Sequence, residues 1–220
     1  MIVSRDNDRL KLIRKLHDKS WRDKLGLFFV EGEDAVEAAT AAPVDLLHAG
    51  EDVEPELLGE VASTPHPPRV IGVFRRQDLP AWEERPATLA LWRLSDPGNV
   101  GALIRTADAF GAAVALSDGC ADPTSPKALR ASVGSIWRVP LGSWRDLGGT
   151  RVALEAHGDV PLASVDLCGR VAFLLGAERE GLPADVERDV DAWIPIEGAE
   201  SLNVAASGAI ALYEWRQQQL

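Results

Sequence analysis

The sequence predicts an α/β protein, with a large domain built on a mainly parallel sheet and a smaller α/β unit in front of it. Three observations predict this. From Thr88 onward, short apolar runs alternate with helical stretches, as βαβ units require. Pro80 to Pro86 reads as a linker, which divides the chain into residues 1–82 and 86–220. Polar, glycine-bearing loops follow apolar strands, and those loops are where an open parallel sheet collects ligands.

The first unit begins with a basic segment. Residues 1–24 hold eight Lys or Arg (Arg5, Arg9, Lys11, Arg14, Lys15, Lys19, Arg22, Lys24) against four Asp, a net charge of +4. Residues 25–220 carry −15, so the total of −11 hides a basic end. Two readings fit this segment: an arm for a polyanion, or a solvated amphipathic helix that buries Leu10, Ile13 and Leu16. Leu27 to Val30 then predicts a strand, Glu31 to Asp34 a turn and cap, and Ala35 to Thr40 a helix. Further strands are expected at Val44 to His48 and Val70 to Phe74, separated by the Pro-rich turn Thr64 to Pro68.

In the second unit the apolar runs place strands at Leu89 to Leu94, Ala113 to Leu116, Val152 to Glu155, Val171 to Leu175 and Trp193 to Ile196. Helices are expected from Asn99 to Phe110 and, after the last strand, up to about Gln217. There is no internal repeat or low-complexity tract.

Composition removes several classes. With 46% hydrophobic and 26% charged residues, the chain predicts a folded globular protein. No run approaches the roughly 18 apolar residues of a spanning helix, and the first residues lack the apolar core of a secretory signal. A cytoplasmic location without membrane attachment is therefore expected. Cys120, Cys168, His17, His48, His66 and His157 show no metal-ligand spacing, so neither a metal site nor a disulfide scaffold is expected.

Three segments carry the chemistry. In Ser95-Asp-Pro-Gly-Asn99-Val-Gly101-Ala-Leu-Ile-Arg105, a loop after a strand runs into a helix, with Arg105 nearly two turns beyond Asn99. Alone, Asn99 could be an N-cap and Arg105 a surface cation. In Val171-Ala-Phe-Leu-Leu-Gly176-Ala-Glu178-Arg-Glu-Gly181, an apolar strand empties into a glycine-flanked acidic loop. Glycine admits a ligand close to backbone, and a carboxylate there suits ribose hydroxyls or a cation. In Trp193-Ile194-Pro-Ile196-Glu-Gly198-Ala-Glu-Ser201-Leu202-Asn203, a strand and glycine turn open a helix rich in Ala, Ser and Gly. Ser201 and Asn203 could be caps alone.

Taken in order, these segments resemble the three motifs of the SpoU/TrmH family of SPOUT-class RNA 2′-O-ribose methyltransferases. The resemblance covers about residues 89–216. Ala121 to Pro140 is similar to the stretch between the family's first two motifs. Lys11 to His17 and Gly26 to Gly32 are similar to the ribosomal-protein-type RNA-binding domain of many members. The resemblance implies a SPOUT-type catalytic domain with a C-terminal trefoil knot, bound S-adenosylmethionine, and an active site shared across a homodimer. It assigns catalysis to Asn99, Arg105, Glu178, Ser201 and Asn203. It places Leu175, Gly176, Glu178 and Gly181 against the cofactor, together with Ile194, Ile196, Ser201, Leu202 and Asn203. Arg14, Lys15, Lys19, Arg22, Lys127 and Arg130 are the candidate RNA contacts. Arg179 and Ala205 depart from the family pattern, which usually has Gly and often Ser there.

Methyl transfer from a sulfonium to a ribose oxygen needs a positioned hydroxyl and removal of its proton, and no metal. A guanidinium normally keeps its proton, so Arg105 would either take the hydroxyl proton with help from an RNA phosphate or stabilise the forming alkoxide. Ribosomal RNA is expected as substrate ahead of transfer RNA, because of the extra N-terminal unit. A catalytically silent RNA-binding member of the fold and a base methyltransferase are the alternatives. A dehydrogenase would need a GxGxxG turn, which the chain lacks. Most of the seven Trp are expected in the core or at interfaces.

Overall fold

The computed structural model describes residues 1–220. Asn7 accepts a hydrogen bond from the Arg9 amide and caps α1 (Asp8–Leu16), whose Leu10, Ile13 and Leu16 share one fully buried face. The basic segment is two helices: Asp18 caps a second, α2 (Lys19–Leu25), which Gly26 ends. Next come β1 (Leu27–Glu31), α3 (Glu33–Glu37), β2 (Asp45–His48), α4 (Pro55–Val61) and β3 (Val70–Arg75). The three strands form an antiparallel sheet in the order β1-β3-β2. Two details depart from the sequence reading. α3 starts two residues early, because Glu33 and Asp34 suit the positive end of a helix better than a turn. α4 was not anticipated, although Pro55 opens its first turn.

This small sheet has two buried faces. Phe29, Ile71 and Val73 pack under α1 and α4. Phe28, Val30 and Phe74 point the other way, as strand alternation requires, and join the core of the larger unit. There Trp137 lies edge-on to Phe74 at 4.8 Å and 5.6 Å from Phe28.

The larger unit runs β4 (Ala87–Leu91), α5 (Pro97–Phe110), β5 (Ala113–Leu116), α6 (Pro126–Ser132), β6 (Leu141–Ser143), β7 (Thr150–Leu154), β8 (Val160–Pro161), β9 (Val171–Leu175), β10 (Val190–Trp193) and α7 (Val204–Gln218). Its seven strands are all parallel, in the order β6-β5-β4-β9-β7-β10-β8. β4 and β9 are buried along their whole length, as central strands of a parallel sheet are. α7 lies close against α5 and the sheet at Gly208, where an added Cβ would stand 2.4 Å from the Leu103 side chain. The opposite sheet face carries Ala90, Ala153, Ala172 and Leu174 under Leu182, with half-buried Trp92 and Trp144 at its edge.

The third-segment strand is displaced from its expected place at 193–196. Pairing with β7 sets β10 at 190–193, and Pro195, with no N–H to give, cannot extend it. α6, β6 and β8 were not foreseen; α6 starts at a Ser125 cap followed by Pro126. No helix is long and apolar enough to cross a membrane.

A buried ion cluster joins the two units. Arg22 Nε donates to Asp122 Oδ2 at 2.9 Å, and its Nη1 donates to the Leu16 and His17 carbonyls at 2.8 Å. Arg76 Nη2 donates to the same Asp122 oxygen at 2.6 Å, while Thr124 gives its amide and hydroxyl to the other. Arg22 is therefore not one of the RNA contacts: its side chain is only 3% exposed, because it faces Asp122 and not solvent. Burial pushes the Asp122 carboxyl up, but the Thr124 donors and the two guanidinia outweigh it and hold the group below its ordinary value.

Asp122→Ala leaves two guanidinia facing each other without a carboxylate, and should cost about 3–5 kcal/mol in urea unfolding. Because the folded carboxyl titrates below the unfolded one, its contribution is complete above about pH 5 and is lost as pH falls through the unfolded and then the folded value. A variant as stable as the parent at pH 7 would show that the cluster does not hold the units together.

Candidate active site

All strands of a parallel sheet end at one edge, and here a cleft of about 510 Å³ opens at that edge over β9, β7 and β10. Three loops wall it. The loop after β9 contributes Leu175, Gly176, Glu178 and Gly181. The segment from β10 to α7 contributes Ile194, Ile196, Ser201, Leu202 and Asn203. Every residue expected to face a cofactor thus borders one cavity. The third wall, Leu154 to Ala156 after β7, was not anticipated.

Local backbone explains the shape. Ala177 and Gly181 exchange N–H···O=C bonds of 2.9 and 3.1 Å, closing a tight turn. Gly176 sits so near its far side that an added Cβ would lie 2.3 Å from the Gly181 carbonyl carbon. Only glycine fits there.

The three polar segments meet through one side chain. Asn99 Nδ2 donates to Glu178 Oε1 at 3.0 Å, and Asn203 Nδ2 donates to Asn99 Oδ1 at 3.2 Å. Asn99 is not the cap of α5; Asp96 is, accepting from the Gly98 amide at 2.7 Å. Asn203 is a cap as well, its Oδ1 accepting from the Ala205 and Ala206 amides. Partial burial pushes the Glu178 carboxyl up, but the Asn99 donor and the backbone N–H groups of Glu178, Ser95 and Asp96 more than reverse that, so it is held ionised. Ser201 is exposed at the cleft border.

Arg105 stands apart. It lies six residues beyond Asn99, roughly 9 Å along the helix, exposed and outside the cleft of its own chain. The remaining expected RNA contacts are engaged within the chain: Lys127 with Asp96 at 2.6 Å, Arg130 with Glu31 at 3.4 Å, Lys19 with Asp23 at 2.7 Å, Arg14 with the Arg5 carbonyl at 2.7 Å, and Lys15 over the Trp21 ring at 4.9 Å.

Glu155 and Glu200 line the cleft and were both missed by sequence reasoning; for Glu155 the end of a buried strand was the only signal. Burial raises the Glu155 carboxyl above the ordinary range, with Arg188 at 3.5 Å opposing and Asp191 adding to the rise. The cleft can therefore take a ligand with a flat apolar part, against Leu175, Ile194, Ile196 and Leu202, and a cationic part, near Glu155 and Glu178. No group of three His, Cys, Asp or Glu side chains is arranged to hold a metal ion.

Residues 86–213 match the SpoU rRNA methylase family. The chain is 32% identical to the Bacillus subtilis 23S rRNA (guanosine(2553)-2′-O)-methyltransferase RlmP, over 98% of each. It is 30% identical to the 23S rRNA (guanosine-2′-O-)-methyltransferase RlmB of Acinetobacter baylyi, over 89% of this chain and 90% of that one. Among solved structures, an AdoMet-bound rRNA methyltransferase from Sinorhizobium meliloti superposes with a TM-score of 0.88 at 30% identity, covering 100% of this chain and 98% of that one. The SpoU methyltransferase AviRb from Streptomyces viridochromogenes, in complex with AdoMet, gives 0.84 at 28% identity over 97% and 98%.

Asn203 does two jobs that substitution separates. Asn203→Ala removes the cap and the Asn99 contact, and should cost about 0.5–2 kcal/mol in urea unfolding. Asn203→Asp keeps the cap acceptor but not the donor to Asn99, so it should recover most of that stability. Equal losses in the two variants would show that capping is not what Asn203 contributes.

Proposed function

The chain belongs to the SpoU rRNA methylase family, and from that premise we propose that it methylates a ribose 2′-hydroxyl of ribosomal RNA in the cytoplasm, using S-adenosylmethionine, as a homodimer and without a metal. The observation that carries this reading is the Glu178–Asn99–Asn203 chain of hydrogen bonds, which ties all three polar segments together at the cleft mouth. The Asn203 cap alone would serve a catalytically silent RNA binder equally; its link through Asn99 to Glu178 at the cleft mouth is what favours an active site.

The cleft fits the cofactor. Its apolar walls suit an adenine ring, the Gly176 turn admits a ligand against bare backbone, and the Glu155 and Glu178 carboxylates favour a sulfonium cation. When bound, S-adenosylmethionine supplies the electrophilic methyl group. The chain's own residues position and activate the acceptor. Asn99 holds the Glu178 loop against α5, while Asn203 and Ser201 stand at the mouth where a ribose hydroxyl would be oriented. Either Arg105 keeps its proton and stabilises the oxygen while the hydroxyl proton passes to water or an RNA phosphate, or Arg105 first gives a proton to an RNA phosphate and then takes the hydroxyl proton as the methyl group is transferred.

Arg105 is exposed and outside its own chain's cleft, which supports a site completed by a second copy. Exposed Ile210 and Tyr213 on α7 offer apolar surface for such a contact. We place the family's trefoil knot in the loops after β9 and β10 that wall the cleft. Residues 1–82 select the RNA, with Arg14, Lys15 and Lys19 at their surface.

Mapping ribose methylation in ribosomal RNA with and without the protein tests the reading; a map unchanged by its loss would overturn it. In vitro, Arg105→Ala should lower methyl transfer by about 100-fold or more while calorimetry shows S-adenosylmethionine affinity retained. Near-normal turnover would remove Arg105 from the mechanism. Transfer to a short unstructured RNA should survive EDTA, and light scattering should report twice the mass of one chain.

A further inference from the structure

Most of the chain's arginines already have partners within it. Of 18, 13 give a hydrogen bond or ion pair to another group of the chain. Arg93, Arg105, Arg145, Arg179 and Arg216 do not, and all five are exposed. Three of these stand on turns at the carboxyl edge of the large sheet: Arg145 two residues after β6, Arg93 two after β4, and Arg179 four after β9. These strands lie in the order β6-β5-β4-β9, so the row spans three strand spacings, roughly 14 Å. It ends where the cleft begins, because Arg179 borders the cavity.

The row is built and not merely exposed. Trp144, the residue before Arg145, packs edge-on at 5.0 Å against Trp92, the residue before Arg93, and so holds the two turns together. Arg93 is one of only two non-glycine residues with positive φ, at +50°, a conformation that is held by surrounding structure and tends to occur at functional sites. Its amide donates to Ser117 Oγ at 2.9 Å. Its side chain lies along the turn after β5, with Nε 3.4 Å from where a Cβ on Gly119 would stand. Two of the neighbouring carboxylates have other partners, Asp146 the Ser143 amide at 3.0 Å and Glu178 the Asn99 amide at 3.0 Å, while the exposed Asp118 and Glu180 pair with none of the three arginines.

We propose that this edge is the path of the substrate RNA, with Arg145, Arg93 and Arg179 each holding a phosphate of the strand that brings the target ribose to the cleft. The proposal rests on the methyltransferase reading above. A guanidinium offers a planar fork to two phosphate oxygens. Residues 25–220 are otherwise strongly acidic, so unpaired guanidinia beside the cleft are where a polyanion would be held against the general repulsion.

The test is a full-length variant carrying Arg93→Gly, Arg145→Ala and Arg179→Ala; glycine at 93 suits the backbone there. Its affinity for an unmodified 23S rRNA transcript is measured between about 50 and 200 mM salt, with S-adenosylmethionine affinity measured by calorimetry. The slope of log affinity against log salt should become shallower by about 2, with cofactor affinity unchanged. Lysine at all three positions should keep the slope near that of the parent. A slope equal to the parent's in the alanine and glycine variant overturns the proposal. Should the triple variant lose cofactor affinity, Arg93→Gly with Arg145→Ala decides: a slope shallower by about 1.5 supports the path, an unchanged slope overturns it. A parent chain that transfers no methyl group, while the slope still flattens, would sink the methyltransferase reading and leave the RNA path standing.

Discussion

The Asn99 amide accepts one hydrogen bond and gives another, and the site is organised around that exchange. Its partners, Glu178 and Asn203, are 79 and 104 residues away in sequence. They meet because the sheet is parallel: β4 and β9 are neighbours, so the helix after one and the loop after the other leave the same edge side by side. The exchange needs Glu178 as an acceptor, and its carboxyl is held below the ordinary range. The link is therefore intact at neutral pH and weakens as acid protonates Glu178.

Close backbone approach supplies the rest of the geometry. Gly176 lets the β9 loop fold back on residues 181 and 182, and Gly208 lets α7 settle onto Leu103 and Leu175. With α7 that near, its cap Asn203 is brought to Asn99. The small-residue character of the last helix thus serves packing first and the site second. On the other side of the molecule, Phe28, Phe74 and Trp137 make the two units share one core, and Asp122 joins them through Arg22 and Arg76. The N-terminal unit is consequently set against the catalytic one by burial as well as by the linker.

Much of this was legible in the residues. Ala113–Leu116 and Val171–Leu175 are strands with the bounds their apolar runs gave, and Leu10, Ile13 and Leu16 form the buried face expected of a basic amphipathic helix. The polar segments were recognisable because each follows a strand end with glycine close by. What was not legible depends on partners distant in sequence. Strands of two and three residues such as β8 and β6 exist only because a neighbour pairs with them, and β10 takes its register from β7. Glu155 has no motif around it and enters the cleft through the placement of β7. Arg22 looked like its basic neighbours, and only the fold puts Asp122 against it.

Arg22 also shows why counting charges misleads about a polyanion partner. The only net-basic stretch of sequence has one arginine buried on Asp122, another bonded to Asp45 and Leu46, and a lysine on Asp23. Each such partner lowers the field the cation offers to solvent, so +4 in sequence is less than +4 toward a phosphate. The reverse holds in the acidic part. There a few guanidinia have no carboxylate within ion-pair distance and keep more of their field toward solvent than the paired ones do, next to the cleft. Beyond a Debye length of about 8 Å, the distant acidic groups are largely screened at physiological salt. A phosphate within hydrogen-bond reach of an unpaired arginine is governed by that arginine and not by the total of −11. For a protein with this charge, the cations that the fold leaves without a partner are the ones whose field toward a phosphate is least reduced.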